Sequence, residues 1–495
     1  MITLHFVLIN YVFMMRSIIR LFTCFIVLFA QNSFSQTAFD RFLSVPSMKG
    51  ASISFMVKDI MNDTIVFCYD ADRELIPASV MKIVTTAVAL EILGEQFRYE
   101  TILMYDGVIK DSILEGNLYI CGSGDPTLGS VEITSNRDYI MREWIKTLNK
   151  SGIRIITGSI ISDESIFDSE GLTMKSMRED MGSYYGAGSY GINIFDNRFI
   201  LYLQTATSND KPEILKTDPP MPNLLFHNYL YTDSFSKDSA YIIGFPFSAE
   251  RYLYGTLSAN RSINQLMGDI PDPSLFLSQY FTELLSKDSI KVMGLPTCYR
   301  VLSESNNWRI SERKFLISSY SVSLMDIVRI TNHVSHNLYA DALLKTIGLK
   351  YRHEDAASSF DKGISIVKNH WAEKGLNISS LWMFDGSGLA VTNKLTASFI
   401  CDLLGYMYNQ STSSNAFFVS LPRAGIEGTV SNLLRDSNLK GNLRLKSGSM
   451  SRVRSYAGYY QKDDKTYAIA LIVNNFSCTQ TQMRVYIEHL LLSMF

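Results

Sequence analysis

The pattern of apolar and polar positions divides the chain into stretches with different periods. Over residues 51–70 the two kinds of side chain alternate on both sides of a polar turn, which predicts a β-hairpin. Residues 83–93 (IVTTAVALEIL) are instead apolar on nearly every side, and a helix of that kind is buried. Pro77 before this run and Gly94 after it are typical of a helix start and a helix end. A hairpin followed by a buried helix is therefore expected near the N-terminus.

A long region of short β-type runs follows, over residues 98–305. TILMYDG, GNLYICG, IRIITGSIIS and RFILYLQTA are such runs, and turns containing glycine, aspartate or proline separate them. No helix comparable to the first one is evident there. Four prolines between Pro212 and Pro222 predict an irregular linker inside the region. The pattern predicts a β-rich insertion of one or two modules.

Helical spacing returns after Ser319, in SVSLMDIVRITNHV and then in SHNLYADALLKTIG. The C-terminal part contains three β-type runs, LRLKSGS, RSYAGYYQ and TYAIALIVNNF, followed by the helical pattern of VYIEHLLLSMF. These runs predict an antiparallel meander that is closed by a helix. Together with the early hairpin they predict one α+β domain whose chain is interrupted by the insertion.

Composition narrows the class of protein. At 495 residues the chain has room for about three domains. Hydrophobic residues make up 46% of the chain and charged residues 19%, which describes a folded protein with a substantial core. A formal net charge of -2 and the lack of a basic stretch argue against nucleic-acid binding. Six scattered cysteines without a C-x-x-C pair predict neither a disulfide framework nor a metal site.

The N-terminal segment predicts export. Arg16 and Arg20 precede an apolar run over residues 21–30, and Ser33 and Ser35 supply the small residues of a cleavage site. The apolar run is too short to span a bilayer of about 30 Å as a helix. We therefore expect a signal peptide that is cleaved after Ser35, with the true start methionine left open. An uncleaved anchor is the alternative, because the residues before Arg16 are also apolar.

Ser79 and Lys82 lie three residues apart at the start of the apolar helix, hence on the same face. One interpretation is structural: Ser79 caps the helix and Lys82 extends to solvent. The other is chemical, since a serine hydroxyl becomes a nucleophile when a base lies next to it. Lysine is such a base only if burial or a second cation lowers its pKa by about three units. S-x-x-K alone is too common to decide between them.

A second polar motif, Ser335-His336-Asn337, lies where the YADALL helix is expected to begin. Such residue types are common at helix starts, so plain capping by Ser335 or Asn337 is the alternative to a functional role. The motif indicates a function only when it occurs together with the other motifs in a defined order along the chain.

A third motif, Lys446-Ser447-Gly448, lies in the predicted strand LRLKSGS. The period of two places Arg444, Lys446 and Gly448 on one face and the leucines on the other. The alternative is a basic edge strand that its charges keep soluble. Glycine inside a strand, however, often marks the close approach of a ligand or of another backbone.

S-x-x-K, S-x-N and K-[ST]-G in this order form the signature of penicillin-binding proteins and serine β-lactamases. The segments LIPASVMK, SHNLYADALL, DGSGLAVTN, LPRAGIEGT, LKSGSMSRVRSYAGY and GNLYICGSGDPTL extend the match. Over nearly all of its mature length the chain resembles the D-alanyl-D-alanine carboxypeptidase/endopeptidases among the low-molecular-mass, class C penicillin-binding proteins.

The resemblance implies a fold and a division of the chain. The fold is α+β, a penicillin-binding/β-lactamase-like transpeptidase domain in which helices flank an antiparallel sheet, with inserted β-rich domains. This division matches the boundaries read from the residues: signal peptide 1–35, catalytic domain 36–97 and 306–495, and insertion 98–305. It also implies a periplasmic location and peptidoglycan stem peptides as substrates, with β-lactams as acylating inhibitors. No metal or cofactor is implied.

The resemblance assigns the chemistry to Ser79, Lys82 and Ser335. Ser79 attacks the carbonyl of a D-Ala-D-Ala bond, Lys82 takes its proton, and Ser335 passes a proton towards the leaving amine. Asn337 and Lys82 hold each other in place. Water then hydrolyses the acyl-enzyme.

The remaining site residues are implied to bind the substrate. Lys446 supplies positive potential that keeps the active-site lysine neutral and attracts the terminal carboxylate, and Ser447 donates a hydrogen bond to it. Gly448 lets the substrate approach the strand. Backbone N–H groups of Ser79 and Ser449 form the oxyanion hole, in which one donor is typically worth ~3 kcal/mol.

Two positions depart from the family pattern. Ser447 replaces the usual threonine but keeps the hydroxyl, so we expect little loss. Val391 stands where the family often has an arginine that binds the charged end of the peptide side chain. Asp180 matches an aspartate of the same pocket, but without the arginine it receives no firm role.

Two rival functions remain. A serine β-lactamase would use the same nucleophile but needs a group that activates water for fast deacylation, and no E-x-x-L-N-like segment supplies one. A non-catalytic cell-wall binding protein could keep the fold, although intact motifs argue against it. His333 and His336 are interpreted as ordinary polar residues. The sequence leaves open carboxypeptidase or endopeptidase preference, the third stem-peptide residue and the oligomeric state.

Overall fold

A computed structural model of the chain describes residues 36–207, 210–234, 238–350 and 358–495. The predicted signal peptide therefore lies outside the described residues. Within the described ranges no helix has the length and apolar character needed to cross a membrane.

The chain forms two compact units. The small unit consists of the segment up to Leu75, then Leu395–Gly405 and Pro422–Phe495. The large unit consists of Ile76–Lys394 and Tyr406–Leu421. Each unit thus combines segments that are remote in sequence.

Strands account for much of both units. In chain order they are β1 (Ser52–Asp59), β2 (Thr64–Tyr69), β3 (Glu100–Tyr105), β4 (Val108–Lys110), β5 (Ile113–Glu115), β6 (Leu118–Cys121), β7 (Ile155–Ile156), β8 (Ile160–Asp163), β9 (Arg198–Gln204), β10 (Glu213–Asp218), β11 (Leu225–Asn228), β12 (Tyr231–Asp233), β13 (Tyr241–Gly244), β14 (Glu250–Tyr254), β15 (Thr256–Ser258), β16 (Asn264–Asp269), β17 (Lys291–Val292), β18 (Thr297–Cys298), β19 (Lys314–Tyr320), β20 (Leu443–Met450), β21 (Val453–Lys462) and β22 (Lys465–Asn474).

Helices are distributed over the described part of the chain. In chain order they are α1 (36–44), α2 (Met81–Leu93), α3 (Tyr139–Lys150), α4 (Pro273–Lys287), α5 (Tyr299–Glu304), α6 (Leu324–His333), α7 (Asn337–Gly348), α8 (Ser359–Glu373), α9 (Ala397–Asn409), α10 (Ser414–Ser420) and α11 (Gln480–Met494). Short 3-10 turns supplement them, among them Ala78–Val80.

The small unit is built on one five-stranded sheet in the order β2-β1-β22-β21-β20. Every neighbouring pair in it is antiparallel. The predicted hairpin is confirmed as β1 and β2, and the predicted meander as β20, β21 and β22, followed by α11. The hairpin joins the meander because β1 pairs with β22 along its whole length.

Helices cover both faces of this sheet, which explains why its central strands are buried almost throughout. On one face, Phe39 of α1 and Ile487 of α11 share a core with Phe55 and Leu471 of the sheet. On the other face, the Tyr459 hydroxyl donates to the carbonyl oxygen of Leu404 in α9 at 2.9 Å. The predicted arrangement of an antiparallel sheet with flanking helices is therefore confirmed within this unit.

The large unit contains the predicted apolar helix, α2. Its residues Met81–Leu90 are all buried, and α6, α7, α8 and α10 pack around it. The 3-10 turn Ala78–Val80 leads into α2, and Gly94 ends it with a φ of 84°. Both predicted boundaries are confirmed.

Sheets also dominate the part of the large unit where the insertion is predicted. A five-stranded sheet has the order β18-β8-β6-β3-β19 and a four-stranded one the order β17-β7-β5-β4. The β-rich character is thus confirmed, but α3 and α4 also lie there and were not predicted. In α3 the buried residues Ile140, Met141, Trp144, Ile145 and Leu148 follow helical spacing, a signal that the surrounding β-type runs obscured.

The irregular linker predicted between Pro212 and Pro222 is wrong in part. Residues Glu213–Asp218 form β10, which pairs antiparallel with β9. The prolines flank this strand rather than interrupt it, because Pro212 precedes it and Pro219 follows it. The strand also lies at the edge of its three-stranded sheet, where only one side needs hydrogen-bonding partners.

Candidate active site

Ser79 lies in the 3-10 turn that opens α2. The turn is held in an unusual shape, since Ala78 has a positive φ of 47°. A glycine of another segment makes the shape possible: a β-carbon at Gly388 would overlap the carbonyl oxygen of Ala78. The DGSG loop therefore packs directly against the turn that carries the candidate nucleophile.

Lys82 is fully buried one turn further on. Its Nζ lies 3.0 Å from Ser79 Oγ, 2.6 Å from Asn337 Oδ1 and 2.6 Å from the carbonyl oxygen of Ser387. The structural interpretation, in which Lys82 extends to solvent, is therefore wrong. The lysine turns inward because each of its three possible hydrogen-bond directions meets a polar atom.

This set of partners suits a neutral amine. Asn337 Oδ1 and the Ser387 carbonyl oxygen can only accept, so they bind the two hydrogens of an uncharged Nζ. The nitrogen lone pair then points to its third partner, the hydroxyl of Ser79. In that state Ser79 donates to Lys82, which is the arrangement a base needs.

Burial also favours the neutral state. It lowers the pKa of Lys82 to about 8, although the carboxylates of Asp341 and Asp385 act in the opposite direction. Burial and the neighbouring charge of Asp385 raise the pKa of Asp341 well above that of an ordinary aspartate, while Lys82 lowers it. The charges of Lys82 and Asp341 thus favour each other's ionised form, whereas burial favours the neutral form of both.

Asn337 is the first residue of α7, and His336 occupies the N-cap position without a capping hydrogen bond from its side chain. The Asn337 side chain is engaged elsewhere: Oδ1 accepts from Lys82, and Nδ2 donates to the carbonyl oxygen of Tyr185 at 2.8 Å. Ser335 precedes the helix with a φ of 61°, in the left-handed region. The capping alternative does not account for this motif.

The loop that presents the Ser387 carbonyl is organised by a buried carboxylate. Asp385 accepts hydrogen bonds from the backbone N–H groups of Gly388 and Ala390 and from Asn393 Nδ2, at 2.6–2.8 Å. Sequence reasoning quoted this segment but gave Asp385 and Ser387 no role. The sequence signal is an aspartate followed eight positions later by an asparagine, with glycines between them.

Asp341 was also missed by sequence reasoning. It lies one helical turn after Asn337, partly exposed, and its Oδ1 accepts from the N–H of Gly386 at 2.9 Å. A charged residue in the apolar helix pattern YADALL was the available signal. Asp341 and Asp385 together fix both ends of the dipeptide that leads to the Ser387 carbonyl.

The third motif lies in the small unit, on β20. Leu443 and Leu445 point into the core of that unit, as predicted from the period of two. Lys446 is fully buried, and its Nζ donates to the carbonyl oxygen of Ser447 at 2.7 Å. Ser447 Oγ donates to Thr429 Oγ1 at 2.7 Å. A buried lysine does not serve solubility, so the edge-strand alternative fails for this residue even though β20 is an edge strand.

Gly448 follows in β20 as a buried residue, and Ser449 is exposed.

Asp180 lies in the large unit and is half buried. Burial raises its pKa to about 6, against a hydrogen bond from Tyr185 that lowers it. Val391 is partly exposed. Among the described residues no group of three or more histidine, cysteine or acidic side chains is arranged to hold a metal ion.

Comparison with known proteins decides the family. A sequence model of the D-Ala-D-Ala carboxypeptidase 3 (S13) family matches residues 35–489. The chain belongs to this family. As a member it is a serine-type D-Ala-D-Ala carboxypeptidase, the first of the functions that the sequence predicted.

Individual relatives agree with the family match. The chain is 26% identical over 449 residues to D-alanyl-D-alanine carboxypeptidase from Actinomadura sp. (strain R39), which covers 88% of this chain and 80% of the relative. The crystal structure of penicillin-binding protein 4 (dacB) from Haemophilus influenzae superposes with a TM-score of 0.77 at 21% identity, covering 90% of this chain and 96% of that one.

A second structure of the same Haemophilus protein, complexed with a novel β-lactam, gives a TM-score of 0.72 at 21% identity and the same coverage. These two superpositions confirm the α+β penicillin-binding fold predicted for this carboxypeptidase.

Proposed function

We propose that this carboxypeptidase is exported and cleaves the D-Ala-D-Ala ends of peptidoglycan stem peptides through an acyl-enzyme on Ser79. The observation that carries the proposal is the buried Lys82 Nζ, 3.0 Å from Ser79 Oγ and fixed by two pure acceptors. An amine held in this way accepts a proton from one direction only. That direction is the hydroxyl of Ser79.

Acylation begins when Ser79 Oγ transfers its proton to Lys82 and bonds to the substrate carbonyl carbon. The peptide C–N bond then breaks, and the leaving D-alanine amine takes up a proton that Ser335 relays. Asn337 keeps the lysine in place throughout. Water next attacks the ester carbonyl, and the peptide leaves with a new terminal carboxylate.

Lys446, Ser447 and Gly448 are assigned to the terminal carboxylate of the substrate, with the N–H of Ser449 and that of Ser79 as the oxyanion hole. Support comes from the chemistry of the strand: a buried cation and a hydroxyl lie next to each other in β20. A carboxylate binds strongly to such a pair because charge-assisted hydrogen bonds are about twice as strong as neutral ones.

Export to the periplasm is proposed from the N-terminal segment, with cleavage after Ser35. The catalytic domain is proposed to comprise 36–97 and 306–495, and the inserted domain 98–305. β-Lactams are proposed to acylate Ser79, as mimics of the D-Ala-D-Ala bond that release no separate leaving group.

The test combines two assays on the mature protein. A fluorescent penicillin should label the wild type covalently and persistently, and a D-Ala-D-Ala peptide should release D-alanine. Ser79→Ala should abolish both, with Ser414→Ala, a serine elsewhere in the same unit, as the matched control. D-alanine release by Ser79→Ala at the wild-type rate would disprove the assignment, and rapid turnover of penicillin would favour a β-lactamase instead.

A further inference from the structure

The middle residue of the S-x-N motif is not an ordinary polar residue. His336 is largely buried, with 13% of its side chain exposed. Its ring stacks on Tyr339 with ring centroids 4.1 Å apart. Its Nε2 lies 3.4 Å from Asp196 Oδ1. The imidazole between Ser335 and Asn337 is therefore held on one face and on one edge.

Asp196 is a deeply buried carboxylate, with 1% of its side chain exposed. Its Oδ2 lies 3.4 Å from the N–H nitrogen of Val131 and 3.5 Å from a guanidinium nitrogen of Arg198. Its Oδ1 faces His336 Nε2 and receives no hydrogen bond of normal geometry from the described residues. Burial by itself would raise the pKa of Asp196, but His336, Ser130 and Arg198 lower it, so the group is ionised.

The backbone that carries Asp196 is strained. Phe195, Asp196 and Asn197 have φ values of 55°, 57° and 49°, three consecutive left-handed residues without a glycine. Such residues are unfavourable and persist only where their surroundings enforce them. Here Asn197 does so, since its Oδ1 accepts from the N–H of Ile194 and its Nδ2 donates to the Gly188 carbonyl oxygen, both at 2.9 Å.

On the side of His336, the stacking partner Tyr339 is also held in place. Tyr339, on which the imidazole stacks, donates to Ser130 Oγ at 2.6 Å, and Ser130 helps to lower the pKa of Asp196. His336, Tyr339, Ser130 and Asp196 thus belong to one polar cluster behind the S-x-N turn.

Packing alone does not hold this turn. A cavity of about 180 Å³ adjoins it and is lined by Ser335 and Asn337 as well as by Asp196 and His336. Tyr184, Tyr185, Glu132 and Arg198 complete the charged or aromatic lining. A turn that borders a cavity is less constrained by packing than one in a close-packed core. Ser335, whose φ of 61° is unfavourable for serine, therefore needs an anchor.

We propose that Asp196 and His336 form a positioning pair for the S-x-N turn, in which Asp196 acts through His336 to hold Ser335 and Asn337 at the reacting groups. The inference rests on the proposed function, because it concerns the acylation of Ser79. Neither residue touches the reacting atoms. Their effect is geometric: Asn337 sets the position of the Lys82 amine, and a displacement of about 1 Å at a catalytic group can cost 100-fold in rate.

The experiment is a double-mutant cycle on the acylation rate of the full mature chain by fluorescent penicillin. Asp196→Asn and His336→Ala should each slow acylation by roughly 10- to 100-fold. The double variant should be no slower than either single one, because both remove the same contact. Asp163→Asn breaks a comparably buried ion pair, with Arg313, and is the matched control that should acylate normally.

For each variant we would also measure the thermal midpoint, which shows whether the protein folds, and two constants: the acylation rate constant and the dissociation constant of the non-covalent complex. A positioning role lowers the acylation rate constant while the dissociation constant of the non-covalent penicillin complex stays unchanged. If Asp196→Asn does not fold, His336→Ala decides alone, since it only truncates a side chain beside a cavity. Wild-type acylation rates in folded variants, or losses that multiply in the double variant, would overturn the inference. Failure of the wild type to be labelled would instead overturn the proposed function.

Discussion

Lys82 Nζ lies 2.6 Å from Asn337 Oδ1, although 255 positions separate the two residues in the chain. The contact joins the start of α2 to the start of α7, so two of the three motifs meet inside the large unit. Because Asn337 Oδ1 cannot donate, it takes one lysine hydrogen and thereby orients the nitrogen lone pair. Four predictions follow from this relationship and its surroundings.

Asn337→Leu should slow acylation by more than the loss of one hydrogen bond to Lys82 would suggest. The substitution keeps the volume but leaves Lys82 Nζ with one acceptor instead of two, so the amine is free to rotate away from Ser79. We expect penicillin acylation to slow by about 100-fold with little change in the thermal midpoint. Asn409→Leu, at the end of α9, is the control. Acylation of Asn337→Leu at the wild-type rate would show that Lys82 does not need the hydrogen bond to Asn337.

Acylation should depend on pH through Lys82. The amine acts as a base only when neutral, and burial lowers its pKa to about 8. The rate should therefore rise with pH up to that region and fall as the pH drops below it. The second-order rate constant for penicillin, measured from pH 5 to 10, checks this. A flat profile over that range would contradict the role of the lysine.

Asp341→Asn should move this profile in a defined direction. The carboxylate of Asp341 raises the pKa of Lys82, against the larger effect of burial. Without that negative charge the neutral amine is reached at lower pH, so the acidic limb should shift to lower pH. Asp361→Asn, at the start of α8, is the control and should leave the profile unchanged. A shift of the limb to higher pH would show that Asp341 does not act through its charge.

Gly388→Ala should destabilise the protein and slow acylation. A β-carbon there would overlap the Ala78 carbonyl oxygen, next to the nucleophile, and Gly388 also has a φ of 80°. Gly375 has a similar φ of 82° but nothing within 4 Å of such a β-carbon. Gly375→Ala therefore measures the backbone cost alone, about 1–2 kcal/mol. Equal losses of unfolding free energy in the two variants would show that the contact with Ala78 is unimportant.

Much of this site could be predicted from sequence because its motifs are local. Ser79 and Lys82 share a face through helix geometry, and alternation in β20 places Leu443 and Leu445 in the core opposite the face that carries Lys446. The hairpin, the apolar helix and the meander with its closing helix follow from period alone. The hydrophobic period does not predict the element correctly where prolines flank a strand, as around β10, or where β-type runs surround a helix, as around α3.

The sequence by itself determined the motifs, the elements that carry them and the family to which they belong. Only the tertiary structure decided which atoms surround Lys82, because Asn337 and the Ser387 carbonyl reach it from distant segments. The same holds for Asp341 and Asp385, whose surroundings come from packing rather than from neighbours in the chain, and for Asp196, whose strained turn meets His336 across the fold. Local residue order fixes which face a side chain occupies; solvent exclusion, and with it the protonation state of an amine, arises only when remote segments pack together.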